Sequence, residues 1–149
     1  MKNALTIDVE DYYMVSAFAD CIRFEDWPCH ESRVARSTDL ILDLLDEFSV
    51  TATFFVLGWV AEQHPGIVRN IRERGHEVAC HGYNHRLIYQ MSPEEFRDDT
   101  RRAKTSIEDL IGCEVIGYRA TSFSVISSTL WALDILAEAG FRYDSSIFP

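Results

Sequence analysis

The sequence predicts an α/β protein with a parallel sheet. Three observations carry this expectation. Short β-branched runs alternate with amphipathic helical stretches along the whole chain. Gly or Pro punctuates most changes of period. The 149 residues suffice for one hydrophobic core and fall short of two.

Each element has a local reason. Ala4 to Val9 is a Thr/Ile/Val-containing run of strand length that ends in acids. Residues 11 to 31 are irregular and rich in aromatics. From Val34 to Phe48, Leu40, Ile41, Leu44, Leu45 and Phe48 recur at helical spacing between acidic residues, which predicts a helix. Thr51 to Leu57 is β-branched and aromatic, the pattern of a buried strand, and Gly58 ends it. Trp59 to His64 reads as a short helix, and Pro65 opens another that closes at Gly75. Glu77 to Cys80 is the third strand. Ser92-Pro93-Glu94-Glu95 is a capping box with Pro at the first helical position; its helix runs to about Ile111 and stops at Gly112. Glu114 to Tyr118 reads as a strand, Ser128 to Ala139 as a helix, and Phe141 to Tyr143 as the start of a fifth strand.

Strict alternation with right-handed crossovers leads either to an open doubly wound sheet or to an arc of a barrel. A complete eight-stranded barrel takes ~250 residues, so this length would supply only part of one.

Charge and composition narrow the function. Lys plus Arg number 14 against 24 Asp plus Glu, for a net charge of -10. Such a surface repels phosphate backbones and argues against nucleic acid as a partner. No apolar run reaches the ~18 residues that cross a bilayer. The apolar run at Ala4 to Ile7 is too short for the core of a secretory leader, so a cytoplasmic location is expected. Reduced thiols are then expected at Cys21, Cys29, Cys80 and Cys113.

In parallel α/β folds, chemistry collects where strands end. Four predicted strand ends here carry unusual polar residues. Asp8, Glu10 and Asp11 place three carboxylates in four positions, and strand alternation puts Asp8 and Glu10 on one side. Two carboxylates on one side repel each other unless a cation lies between them or one is protonated. His81 and His85, at i and i+4, can face one metal ion if the segment turns. Imidazole suits Zn, Co, Ni or Fe, and a third, oxygen ligand leaves a position open for water. Arg119 ends an apolar strand, and Asp144 ends the last one. Tyr12, Tyr13, Trp27 and Tyr83 would suit either stacking on sugar rings or core packing.

In that order, these residues resemble the NodB-type polysaccharide deacetylases, carbohydrate esterase family 4. The strings LTIDVEDYY, HGYNHRLIYQMSPEEF, GYRATSFS and YDSSIFP resemble the exosortase-associated branch, close to the allantoinase-like and peptidoglycan-deacetylase-like group. The resemblance covers residues 4 to 149. It implies a distorted (β/α)7 barrel whose C-terminal part is absent, residues 1–149 being the N-terminal portion of the domain. It implies metal-assisted removal of N-acetyl groups from an amino-sugar polysaccharide or a lipid-linked sugar precursor in exopolysaccharide production. Asp8 then matches the general base. Either Glu10 or Asp11 matches the metal carboxylate, Glu10 being favoured by alternation. His81 and His85 match the metal-binding histidines, with Zn²⁺ expected and Co²⁺ or Ni²⁺ as substitutes. Arg119 matches the arginine that orients the base, and Asp144 the aspartate that supports a catalytic histidine. That histidine belongs to a later motif that this chain does not contain. Thr121 departs from the family's usual proline. Other outcomes on this scaffold are hydrolysis of a cyclic amide and a metal- or carbohydrate-binding remnant. An open barrel edge would expose an unpaired strand and favour homo-oligomers.

Overall fold

The computed structural model describes residues 3–147. Its five strands are β1 (Thr6–Val9), β2 (Thr53–Val56), β3 (Glu77–Cys80), β4 (Gly117–Tyr118) and β5 (Tyr143–Asp144). The helices are α1 (Val34–Glu47), α2 (Gly58–Gln63), α3 (Pro65–Glu73), α4 (Pro93–Ile111) and α5 (Trp131–Glu138). All four strand pairings are parallel, and the spatial order is β1-β2-β3-β4-β5. The order never reverses, so the sheet lacks the switch point of a doubly wound fold.

The register aligns Val9, Val56, Cys80, Tyr118 and Asp144 across the sheet. Ile7, Val9, Phe54, Val56, Val78, Cys80 and Tyr118 share one face and join the main core with helix residues such as Leu42, Val68 and Ile107. The opposite face carries Thr6, Asp8, Thr53, Phe55, Glu77 and Tyr143. The helices therefore bury one face and leave polar groups on the other.

Helix ends follow from named contacts. Ser92 Oγ accepts from Glu95 N at 3.2 Å, and Glu95 Oε2 accepts from Ser92 N at 2.7 Å, which completes the predicted capping box of α4. Gly112 ends α4 with a φ of 65°. The start of α1 is closed from a distance: Asp11 Oδ2 accepts from Arg33 N at 2.7 Å and from Val34 N at 3.1 Å.

Four of the predicted strands are shorter or shifted: β1 begins at Thr6 rather than Ala4, β2 spans Thr53–Val56 rather than 51–57, and β4 and β5 differ as follows. β4 is confined to Gly117–Tyr118, and α4 takes up the Val115 backbone before it: Glu108 Oε1 accepts from Val115 N at 2.8 Å, and Lys104 donates to Val115 O at 2.8 Å. In β5 the paired residues are Tyr143 and Asp144 rather than 141–143. The predicted helix at Ser128 to Ala139 divides into a 3-10 turn, Ser127–Thr129, and α5. The irregular segment 11–31 holds two 3-10 turns, Ser16–Phe18 and Phe24–Cys29. Among the described residues, no helix is long and apolar enough to cross a membrane.

Candidate metal centre

One residue past the aligned row stand Glu10, Leu57, His81, Arg119 and Ser145. Alternation returns this second row to the face that carries Asp8. A shared register thus brings three distant strand ends together.

Glu10, His81 and His85 form the single cluster among the described residues that could hold a metal, with one ligand atom from each lying within 4.8 Å of the others. Glu10 Oε2 lies 3.0 Å from His85 Nε2 and 3.8 Å from His81 Nε2. Both imidazoles are buried. His81 Nδ1 lies 2.8 Å from the carbonyl of Arg119. A carbonyl only accepts, so Nδ1 carries the proton and Nε2 offers its lone pair toward Glu10. Burial pushes the His81 pKa down, although the Asp8 and Glu10 charges oppose it. The neutral form that results is the ligand form.

Glu10 completes the fit. Burial pushes its carboxyl pKa up, but the nearby His85, and then His81, draw it below the usual value. Its Oε2 is sealed from solvent and receives no in-line hydrogen bond. A buried carboxylate oxygen facing the His81 Nε2 lone pair is costly unless a cation lies between them. The donor set, two nitrogens and one carboxylate, suits Zn²⁺ and neighbouring transition metals.

Beside this cluster lies an ion pair. Arg119 Nη1 donates to Asp8 Oδ1 at 2.8 Å. The guanidinium is nearly buried, and all three of its nitrogens are engaged: Nη2 donates to Thr6 Oγ1 at 3.1 Å and to Ser145 Oγ at 2.8 Å, and Nε donates to Ser145 O at 3.3 Å. Its plane packs 4.2 Å from the Phe55 ring centroid. Arg119 therefore fixes one Asp8 oxygen and leaves the other available.

Asp11 and Asp144 make contacts of their own. The Asp11 side chain sits apart from the metal cluster. Besides capping α1, its Oδ2 accepts from Ser32 Oγ at 2.9 Å, and the residue is buried. Both residues lie beyond the end of β1, and the Asp11 carboxylate is held by the 32–34 segment while that of Glu10 faces the histidines. Asp144 turns both carboxylate oxygens to Ser146, accepting from its N at 3.0 Å and its Oγ at 2.5 Å. Ser146 Oγ in turn accepts from Ala120 N at 2.7 Å and ties β5 to the segment after β4.

Of the four aromatics considered for stacking, Tyr13, Trp27 and Tyr83 are core residues, and only Tyr12 is exposed, with Arg33 over its ring at 5.0 Å. Thr6, Ser145 and Ser16 were not foreseen. Ser16 Oγ lies 3.4 Å from His85 Nδ1 and 3.0 Å from Ser122 Oγ. Thr6 stood two residues before Asp8 on the same strand face, a signal that alternation could have supplied. A cleft of about 520 Å³ adjoins His85, between the segment containing Ser16, Arg23 and Trp27 and the segment containing Asn84 and Gln90.

A parallel α/β sheet thus carries a His/His/carboxylate cluster and an Asp–Arg ion pair side by side at its strand ends. The polysaccharide deacetylase family model matches residues 21–143, and the chain belongs to that family. The match takes in His81, His85 and Arg119, whereas Asp8 and Glu10 precede it. A peptidoglycan-N-acetylglucosamine deacetylase from Bacillus cereus is 34% identical over 91 residues, 61% of this chain and 31% of that protein. A Mycobacterium smegmatis protein classed as a polysaccharide deacetylase superposes with a TM-score of 0.79 at 30% identity, covering 97% of this chain and 50% of the other. A peptidoglycan N-acetylglucosamine deacetylase crystallised with a naphthyl N-hydroxybenzamide gives a TM-score of 0.70 at 26% identity, covering 95% and 54%. The chain thus spans about a third of the curated relative and about half of each solved one.

Proposed function

We propose that this chain carries the metal-holding and base-bearing part of a hydrolase that removes N-acetyl groups from amino sugars in a polysaccharide or its precursor. The observation that supports this most is the meeting of Glu10, His81 and His85 on the strand-end face beside Asp8 and Arg119. Glu10 and the Nε2 atoms of the two histidines would hold the ion. A divalent ion held there supplies Lewis-acid polarisation of the acetamide carbonyl and acidifies the attacking water. Asp8 takes the proton from that water through the carboxylate oxygen that Arg119 leaves free. Arg119 keeps the carboxylate in place through its contacts with Thr6 and Ser145. The sugar chain would lie in the cleft next to His85. No further histidine joins this cluster among the described residues: His30 stacks on Tyr13, His64 lies against Ser32, and His76 packs near Phe54. We read the sequential strand order as an arc of a barrel, with residues 1–149 as one portion of the NodB-type domain. The relatives named for acting on peptidoglycan N-acetylglucosamine make an N-acetylglucosamine-bearing glycan the first substrate to test.

The test is acetate release from N-acetylglucosamine oligomers by the Zn²⁺- or Co²⁺-loaded chain, beside Asp8→Asn. The reading expects release in the parent and a loss of ~10²- to 10⁴-fold in the variant, with metal uptake retained. Metal uptake without acetate release in the parent would remove the catalytic reading from this chain. Equal release by parent and Asp8→Asn would remove Asp8 as the base.

A further inference from the structure

The residues between the two histidines are held from outside the metal cluster, and one of the groups that holds them is a carboxylate on α4. Asp99 Oδ2 accepts a hydrogen bond from Tyr83 N at 2.9 Å. The carbonyls of Gly82 and Tyr83 accept from Gly58 N at 2.8 Å and Trp59 N at 3.0 Å, at the start of α2. The Tyr83 hydroxyl donates to Glu62 Oε2 at 2.8 Å, and the Arg102 guanidinium lies 3.7 Å from the ring centroid. Two helices thus grip two consecutive residues by backbone and side chain alike. The fit is tight. Gly82 has a φ of 74°, and a Cβ there would stand 3.3 Å from Asp99 Oδ2. At Gly58 a Cβ would stand 2.7 Å from the Tyr83 ring.

The grip has a consequence at the next ligand. His85 has a φ of 58°, a left-handed conformation that non-glycine residues rarely adopt. Such conformations persist where the surroundings over-determine them, and they cluster at functional sites. His81 is fixed on its own side by the Arg119 carbonyl, at the end of β3. The turn from Gly82 onward therefore decides where His85 stands relative to His81.

We propose that Asp99 is a positioning residue for the metal site. Its bond to the Tyr83 amide, together with the α2 contacts, sets the His81–His85 turn before any ion arrives. Asp99 touches neither histidine in this role and acts through the backbone between them. This inference rests on the metal reading above, and its test separates the two.

The first measurement is amide hydrogen exchange on the metal-free parent chain. A preset turn keeps the Tyr83 amide protected without metal and little changed when Co²⁺ is added. Rapid exchange that slows only with Co²⁺ overturns the proposal, because the ion would then be ordering the turn. The second measurement is Co²⁺ affinity and the visible spectrum of bound Co²⁺ in Asp99→Ala and Asp99→Asn. Asparagine keeps an acceptor for the Tyr83 amide, and alanine removes it. Asp99→Ala should bind Co²⁺ about 10- to 100-fold more weakly with an altered spectrum, and Asp99→Asn should restore both. A folded Asp99→Ala chain with parental affinity and spectrum overturns the proposal. Should the alanine variant fail to fold, the exchange result on the parent decides. A parent chain that takes up no Co²⁺ refutes the metal reading, while protection of the Tyr83 amide is still read independently.

Discussion

Replacing Asp11 by alanine separates the two carboxylates that follow β1. Asp11 Oδ2 receives three hydrogen bonds, from Ser32 Oγ, Arg33 N and Val34 N, at 2.7 to 3.1 Å. The residue is 3% exposed, so water cannot easily take its place. Alanine would strand two backbone donors at the start of the 14-residue helix α1. A lost helix cap typically costs about 0.5 to 2 kcal/mol. A buried donor left without its partner costs about 1 to 3 kcal/mol. These effects overlap, so a total of about 2 to 4 kcal/mol is expected. For a chain of this size that lowers Tm by roughly 4 to 16 °C. The assay is urea and thermal denaturation of Asp11→Ala beside the parent, with Zn²⁺ affinity measured on each folded protein. The structure predicts a large stability loss and unchanged affinity. Parental stability with lost Zn²⁺ affinity would refute the reasoning, because Asp11 would then be the metal carboxylate and Glu10 would not.

Three further outcomes follow from the same geometry. The Asp99 carboxyl is pushed up to about 6, first by burial, so the folded chain holds this proton more tightly than the unfolded chain does. Its contribution is present at pH below the usual value of 3.8 and is lost as pH rises through about 6; urea titrations should show Asp99→Asn with a flatter pH profile over that window and no deficit at pH 7. Gly58→Ala should destabilise by about 1 to 3 kcal/mol in chemical denaturation, because its Cβ would lie 2.7 Å from the Tyr83 ring and 2.8 Å from Ala103 Cα. Arg119→Met should leave metal uptake intact, because His81 bonds to the Arg119 carbonyl rather than to its side chain, yet lower acetate release by at least ~10² through loss of the Asp8 contact.

Much of this arrangement was legible in the sequence because strands report their faces. Period-2 alternation put Asp8 and Glu10 together and Val9 on the other side, and the parallel register then carried that parity across to His81 and Arg119. Capping residues were legible for α4, where Ser92 and Glu95 satisfy each other within four positions. They were not legible for α1, whose cap comes from Asp11, more than twenty residues upstream. That long-range bond is why a third carboxylate in an acidic run looked like a possible ligand. Short strands were also hard to delimit. Nothing local in Glu114 to Ile116 says that Glu108 and Lys104 will claim Val115 before the sheet does. Ser145 and Asp99 carried no periodic signal, because their importance comes only from what faces them after folding.

The central claim is that Glu10, His81 and His85 together hold one divalent ion. Elemental analysis after equilibration with Zn²⁺ or Co²⁺ and removal of free metal tests it most directly, on the parent chain beside His81→Ala and Glu10→Ala. The account predicts one ion per chain in the parent and almost none in either variant. A parent without metal, or variants that retain as much as the parent, would contradict it.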